Sequence, residues 1–223
     1  MQVRDWKDEE RRLDARALET GDATGWFEQL YAAGAAGRVS MPWDRTEPHL
    51  LLAEWTRLQR PVGAGRRAIV VGCGLGADAE HVAGFGFDTV AFDVSPTAVA
   101  IARERHPDSL VRYVAADLLS PPPEWRRSFD LVVEVITVQA LPDPPRRQAI
   151  VNVGRLVAPG GILLAIAARH TEDTKTGPGL PWPLHREEVE AFANDGLLVV
   201  RIEQLTVPGQ PDEPRWRAEL RRG

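Results

Sequence analysis

With 223 residues, ordinary apolar and charged fractions and a formal net charge of −5, the chain suits one α/β domain with a sizeable core. It lacks the concentrated basic surface that a nucleic-acid partner demands. A single cysteine, Cys73, excludes an intrachain disulfide and a multi-cysteine metal site, so no metal is expected. The first residues, Met1 to Glu19, are charged throughout and carry no apolar signal region. No run approaches the roughly 20 apolar residues of a membrane span. These features point to a cytoplasmic protein without a membrane partner, monomeric or homodimeric.

The first fifty or so residues read as helices. Leu13, Ala17 and Leu18 form one face of a short helix. Trp26, Phe27, Leu30 and Tyr31 cluster at helical spacing after a possible cap at Thr24. Met41-Pro42-Trp43-Asp44 breaks the pattern, and a third helix runs from about Glu47 to Leu58 with Leu51, Leu52 and Trp55 inward.

From Ala68 short apolar runs alternate with helices. Strands are expected at Ala68 to Val71, Thr89 to Phe92, Leu110 to Ala115, Phe129 to Val135 and Ile162 to Ala167. Between them come helices after Gly76 to about Ala83, from Pro96 to Arg105 behind a Ser95 cap, and from Arg146 to Val157 before Pro159-Gly160-Gly161. A long loop, His170 to Leu184, precedes a helix at Glu187 to Ala193. Leu197 to Leu205 and Arg215 to Arg221 read as a closing strand pair. The expected architecture is α/β: a Rossmann-like, mostly parallel seven-stranded sheet with helices on both faces. Residues 1–60 would form an N-terminal helical cap over the site and residues 61–223 the main body of one structural domain.

Ligands of open α/β sheets bind beyond the carboxyl ends of the strands. Here those ends carry Gly72 and Gly74, Asp93, Asp117 and Glu134 in turn. Glycines let the backbone turn sharply and approach a ligand. An acid at Asp93, 21 residues after Gly72, can accept hydrogen bonds from both ribose hydroxyls. Asp117 can accept from an exocyclic adenine amine. A nucleoside is therefore the expected ligand. Gly72-Cys73-Gly74-Leu75-Gly76-Ala77 also fits the looser dinucleotide pattern, which keeps a nicotinamide-dependent reductase open. So is a nucleoside-binding protein that does no chemistry.

At these residues the sequence resembles the class I S-adenosylmethionine-dependent methyltransferases, and within them the thiopurine and halide/thiol branch. Gly72-Cys73-Gly74-x-Gly76-x-Asp78 is similar to the first motif, and Phe92-Asp93-Val94-Ser95 to the second. Ala116-Asp117-Leu118 resembles the adenine-contacting segment. Phe129 to Glu134 resembles the fourth-strand motif beside the methionine part of the cofactor. Pro42-Trp43-Asp44 is similar to an upstream motif whose tryptophan packs on the cofactor. The resemblance implies S-adenosylmethionine as cofactor, held by Trp43, Gly72, Cys73, Gly74, Asp93, Val94, Asp117, Leu118 and Glu134. It also implies methyl transfer to a small-molecule acceptor, a thiol slightly ahead of an oxygen or nitrogen nucleophile.

Two departures stand out. Val70 occupies a position that is acidic in many class I members, and the branch's upstream tryptophans find only Trp26 and Tyr31 as candidates. For chemistry, His170, just beyond the fifth strand, is the candidate base, with His49, His81, His106 and His185 read as surface or packing residues. Glu134 faces either the cofactor's positive charge or a salt-bridge partner. Trp182 and Trp216 are candidates to roof an apolar substrate, or core residues.

Overall fold

The computed structural model describes residues 22–41, 43–172, 174, 182–207 and 210–223. The helix expected around Leu13, Ala17 and Leu18, residue Pro42, and much of the loop from His170 to Leu184 lie outside the described residues.

Among the described residues two helices come first, α1 (Gly25–Ala35) and α2 (Leu50–Gln59). The alternating region follows as β1 (Arg67–Val71), α3 (Ala77–Ala83), β2 (Asp88–Asp93), α4 (Pro96–Arg105) and β3 (Arg112–Ala115). Then come β4 (Phe129–Val135), α5 (Pro145–Leu156), β5 (Val157–Ala168) and α6 (Arg186–Glu190). The chain closes with β6 (Leu197–Val207) and β7 (Gln210–Arg222). The seven strands lie in the order β3-β2-β1-β4-β5-β7-β6. All neighbours are parallel except around β7, which runs antiparallel to both β5 and β6.

Burial on both faces explains the uninterrupted apolar strands. On one face Ile69, Phe92, Phe129 and Trp216 pack with Ile150 and Val153 of α5. On the other, Val70, Ala91 and Leu164 pack with Trp55 of α2, Ala79 of α3 and Val99 of α4. Within the segment expected as a cap, α2 therefore belongs to the core of the sheet. Its place is fixed by Arg217 of β7, whose Nη1 donates to Glu54 at 2.7 Å and whose Nε donates to Glu203 at 2.9 Å.

Three local expectations are corrected. Helix α2 starts at Leu50, because His49 is its cap and accepts from Leu51 N through Nδ1. The Thr24 side chain makes no capping bond; the Asp22 carboxylate accepts from Thr24 N and Gly25 N instead. Strand β5 begins at Val157, directly after α5. Pro159-Gly160-Gly161 is absorbed as an irregularity, since Phe129 pairs with Val157 but Leu131 with Ile162.

Candidate functional site

At the end of β1 the chain turns through Gly72 at φ +60°, a left-handed conformation that suits glycine. A Cβ there would lie 2.4 Å from the Thr137 side chain. The hydroxyl of Thr137 in turn donates to Val71 O at 3.0 Å, bracing β1 against the turn after β4. Gly74, at φ +52°, leaves room for the Tyr31 hydroxyl, 3.1 Å from where a Cβ would stand.

Asp93 ends β2, buried beside the turn. Its Oδ2 accepts from Gly74 N and its Oδ1 from Ser95 N, each at 3.0 Å. Burial dominates these bonds and pushes the carboxyl up to about 6. Asp117, after β3, accepts from Leu119 N through Oδ1; among the described residues its Oδ2 carries no bond.

Helix α1 covers this edge. Its Glu28 accepts from the hydroxyls of Ser95 and Thr97 and from Thr97 N, so a carboxylate on α1 sits at the amino end of α4. Tyr31 and Trp43 meet edge to face, 6.0 Å between ring centroids, and the Trp43 side chain hydrogen-bonds Tyr31. Burial, then the Asp93 charge, keeps the Tyr31 hydroxyl protonated far above the ordinary range.

Glu134, the last acid in the strand-end series, does something else. It is fully buried, and its Oε1 accepts from Thr137 N at 2.7 Å and Val138 N at 3.0 Å. Its Oε2 is buried without a hydrogen-bond partner. Burial raises the carboxyl to about 7. It neither lines the cavity nor pairs with a base; it clamps a turn in which Ile136 holds φ +59°, unusual for a β-branched residue.

These elements enclose a cavity of about 690 Å³, within the usual range for small-molecule sites. Trp43, Gly72, Cys73, Gly74, Asp93, Val94, Asp117 and Leu118 all line it. Cys73 presents a small wall, its thiol pushed well up by burial and the Asp93 charge. Trp26, Phe27 and Tyr31 of α1 supply aromatic surface, and Ile136, Thr137 and Leu141 close the β4 side.

His170 is not among the lining residues. Its ring stacks on His185 at 3.9 Å, because residue 170 continues β5 toward α6. Trp182 and Trp216 do not line the cavity either; Trp216 is buried and donates from Nε1 to Leu184 O. His49 does line it, with Arg45, Asp78, Glu213 and Arg215. Asp78 accepts from His49 N at 2.7 Å and from Arg45 at 3.1 Å. Desolvation, aided by Arg45 and Arg215 and opposed by Asp78, lowers the His49 imidazole to about 4, so it is neutral at pH 7. In sequence His49 reads as a surface or packing residue. Arg215 carries no signal there, because its place depends on the antiparallel insertion of β7.

The cavity fits an adenosyl ligand: a turn closed to side chains, a buried acid beside it and a free acceptor oxygen on Asp117, in strand order. Comparison with known proteins agrees. Residues 68–161 match the family model of a methyltransferase domain. A ubiquinone biosynthesis O-methyltransferase of Xanthomonas oryzae pv. oryzae (strain PXO99A) is 33% identical over 161 residues, covering 68% of this chain and 66% of that protein. The chain thus spans slightly less than two thirds of that relative's length. Nodulation protein S of Rhizobium tropici is 27% identical over 206 residues, covering 91% and 82%. The solved structure of the N-methyltransferase NodS from Bradyrhizobium japonicum WM9 superposes with a TM-score of 0.62 at 26% identity, covering 78% of this chain and 93% of that one. The matched domain and these relatives support a class I methyltransferase, the type whose cofactor is S-adenosylmethionine. The names of these relatives describe oxygen- and nitrogen-directed enzymes and do not support the thiol branch.

Proposed function

We propose that the protein transfers a methyl group from S-adenosylmethionine to an oxygen or nitrogen atom of a small-molecule acceptor. The observation that carries this reading is the single cavity running from Asp117 and Asp93, past the glycine turn, to the wall formed by Ile136 and Arg215. Asp93 receives the ribose hydroxyls, Asp117 the adenine amine, and the backbone of Gly72 to Gly74 the amino-acid part. Arg45 and Asp78 lie beside that turn as an ion pair, complementary to a zwitterion. The cofactor supplies an electrophilic methyl on a sulfonium, and its leaving group is neutral. The protein's work is therefore to align nucleophile and methyl and to exclude water. Tyr31 and Trp43 close the site from above. His49, and not His170, lines this cavity; it stays neutral there, its Nδ1 engaged with Leu51 N.

Calorimetry with S-adenosylhomocysteine and NADH, followed by a methyl-transfer assay on matched phenol, amine and thiol acceptors, tests this reading. Micromolar binding of S-adenosylhomocysteine and turnover of the phenol or amine are expected. Binding of NADH alone would favour a reductase, and turnover of the thiol alone would restore S-methylation.

A further inference from the structure

Adenosine and the amino-acid part of the cofactor account for the cavity over β1, β2 and β3. The wall over β4 and β7 is left for the acceptor. Opposite the end of β5, Arg215 pairs in register with Ala168 and faces the cavity. Its side chain is only 12% exposed, and its Nε is buried with no hydrogen-bond partner among the described residues. Nη1 reaches Pro214 O at 3.3 Å, and Nη2 meets Glu213, whose own side chain is 53% exposed at the rim.

A buried guanidinium with an unanswered N–H is a costly arrangement in water and a receptive one toward an anion. The carboxylate it touches is hydrated and screened, so it satisfies the charge incompletely. Planar bidentate acceptors suit a guanidinium best. The neighbouring His49 senses the same field: Arg45 and Arg215 both disfavour its charged form, against the pull of Asp78.

We propose that the acceptor is a small molecule bearing a carboxylate, and that this anion sits on Arg215. This rests on the methyltransferase reading above and deepens it. Arg215 is then a specificity residue: it selects which nucleophile is presented to the methyl and takes no part in the transfer. Arg45, tied to Asp78, stays with the cofactor side.

The test uses the full chain loaded with S-adenosylhomocysteine, and benzoate and benzamide as probes of equal shape and different charge. Isothermal titration at low and moderate salt should give benzoate an affinity at least tenfold above that of benzamide, declining as salt rises. In Arg215→Met the two probes should bind equally, with S-adenosylhomocysteine affinity within twofold of wild type. If that variant loses its thermal transition, Arg215→Lys is read in its place; with one point charge and no fork it should show a reduced preference. Equal binding of the probes to wild type, binding of neither, or a preference that persists in Arg215→Met overturns the proposal. Failure of the wild type to bind S-adenosylhomocysteine is a different result: it sinks the methyltransferase reading, and this inference with it.

Discussion

Burial holds the Asp93 carboxyl at about 6, so its charge is lost just below neutrality. Ribose hydroxyls donate to the ionised form, so cofactor affinity should be constant above pH 7 and fall as pH drops through about 6. Asp93→Asn should bind S-adenosylhomocysteine weakly at every pH and lose that slope, since charge-assisted bonds contribute roughly 1.5–3 kcal/mol each. Titrations at pH 5 and 8 on both proteins check this; parallel profiles would remove Asp93 from the ribose. Glu134 titrates too, with a different consequence. Its folded value, about 7, lies above the unfolded 4.5. The stability it lends is complete below 4.5 and is lost as pH rises through 7. Between pH 5 and 8, Glu134→Gln should therefore gain on wild type by up to about 3 kcal/mol in urea melts. A difference that does not change with pH would mean that the carboxyl is not strained by burial. The sequence placed both acids at strand ends correctly. It could not tell a cavity-lining carboxylate from one folded back onto its own backbone, because that choice is made by the turn at Ile136, and no pattern announces a left-handed isoleucine.

Helix α1 is held to the body through Glu28, which meets three donors at the start of α4. Removing it leaves Ser95 to cap α4 through Ala98 N, as it does now, so that helix should persist. Tyr31 would lose its anchor over Gly74. Glu28→Ala should weaken S-adenosylhomocysteine about tenfold, with proteolysis quickened at the glycine-rich end of α1 around Gly34 and Gly37; unchanged affinity would show that α1 is held without this latch. Gly72→Ala tests the other side of the same site. Left-handed backbone plus a Cβ 2.4 Å from Thr137 should cost about 2 kcal/mol, seen as a lowered melting temperature. Elements with local signals were legible: Ser95-Pro96 marks the start of α4, and the Phe129 to Val135 run is β4 as expected. Those set by distant partners were not. His49 reads only as a surface or packing histidine, because its place in the cavity wall depends on Asp78, 29 residues further on, taking its backbone N–H.

At the scale of the molecule, the parallel part of the sheet follows from sequence alone, since an apolar strand, a turn and a helix recur in order. The closing pair, β6 and β7, was visible as a pair. Its insertion, with the last strand inside and the earlier one at the edge, was not. That order depends on Arg217 reaching Glu54 and on Trp55 Nε1 donating to Glu219 at 2.9 Å, contacts between α2 and the last strand. Arg217→Leu should loosen α2 from β7 and lower the unfolding midpoint, since it strands two carboxylates; hydrogen exchange should quicken in α2 and β7 before β1.

Because β7 runs against its neighbours, its amino-terminal end lies on the same rim as the loops after β1, β2 and β3. It arrives there last in the chain and shares no residue with them. If Arg215 selects the acceptor as proposed, acceptor choice is inherited separately from cofactor use. On that reading, changes at residues 213–215 alter what is methylated without disturbing the stretch from 72 to 117. Exchanging that segment for one from another class I enzyme should redirect the acceptor and leave S-adenosylhomocysteine affinity within twofold.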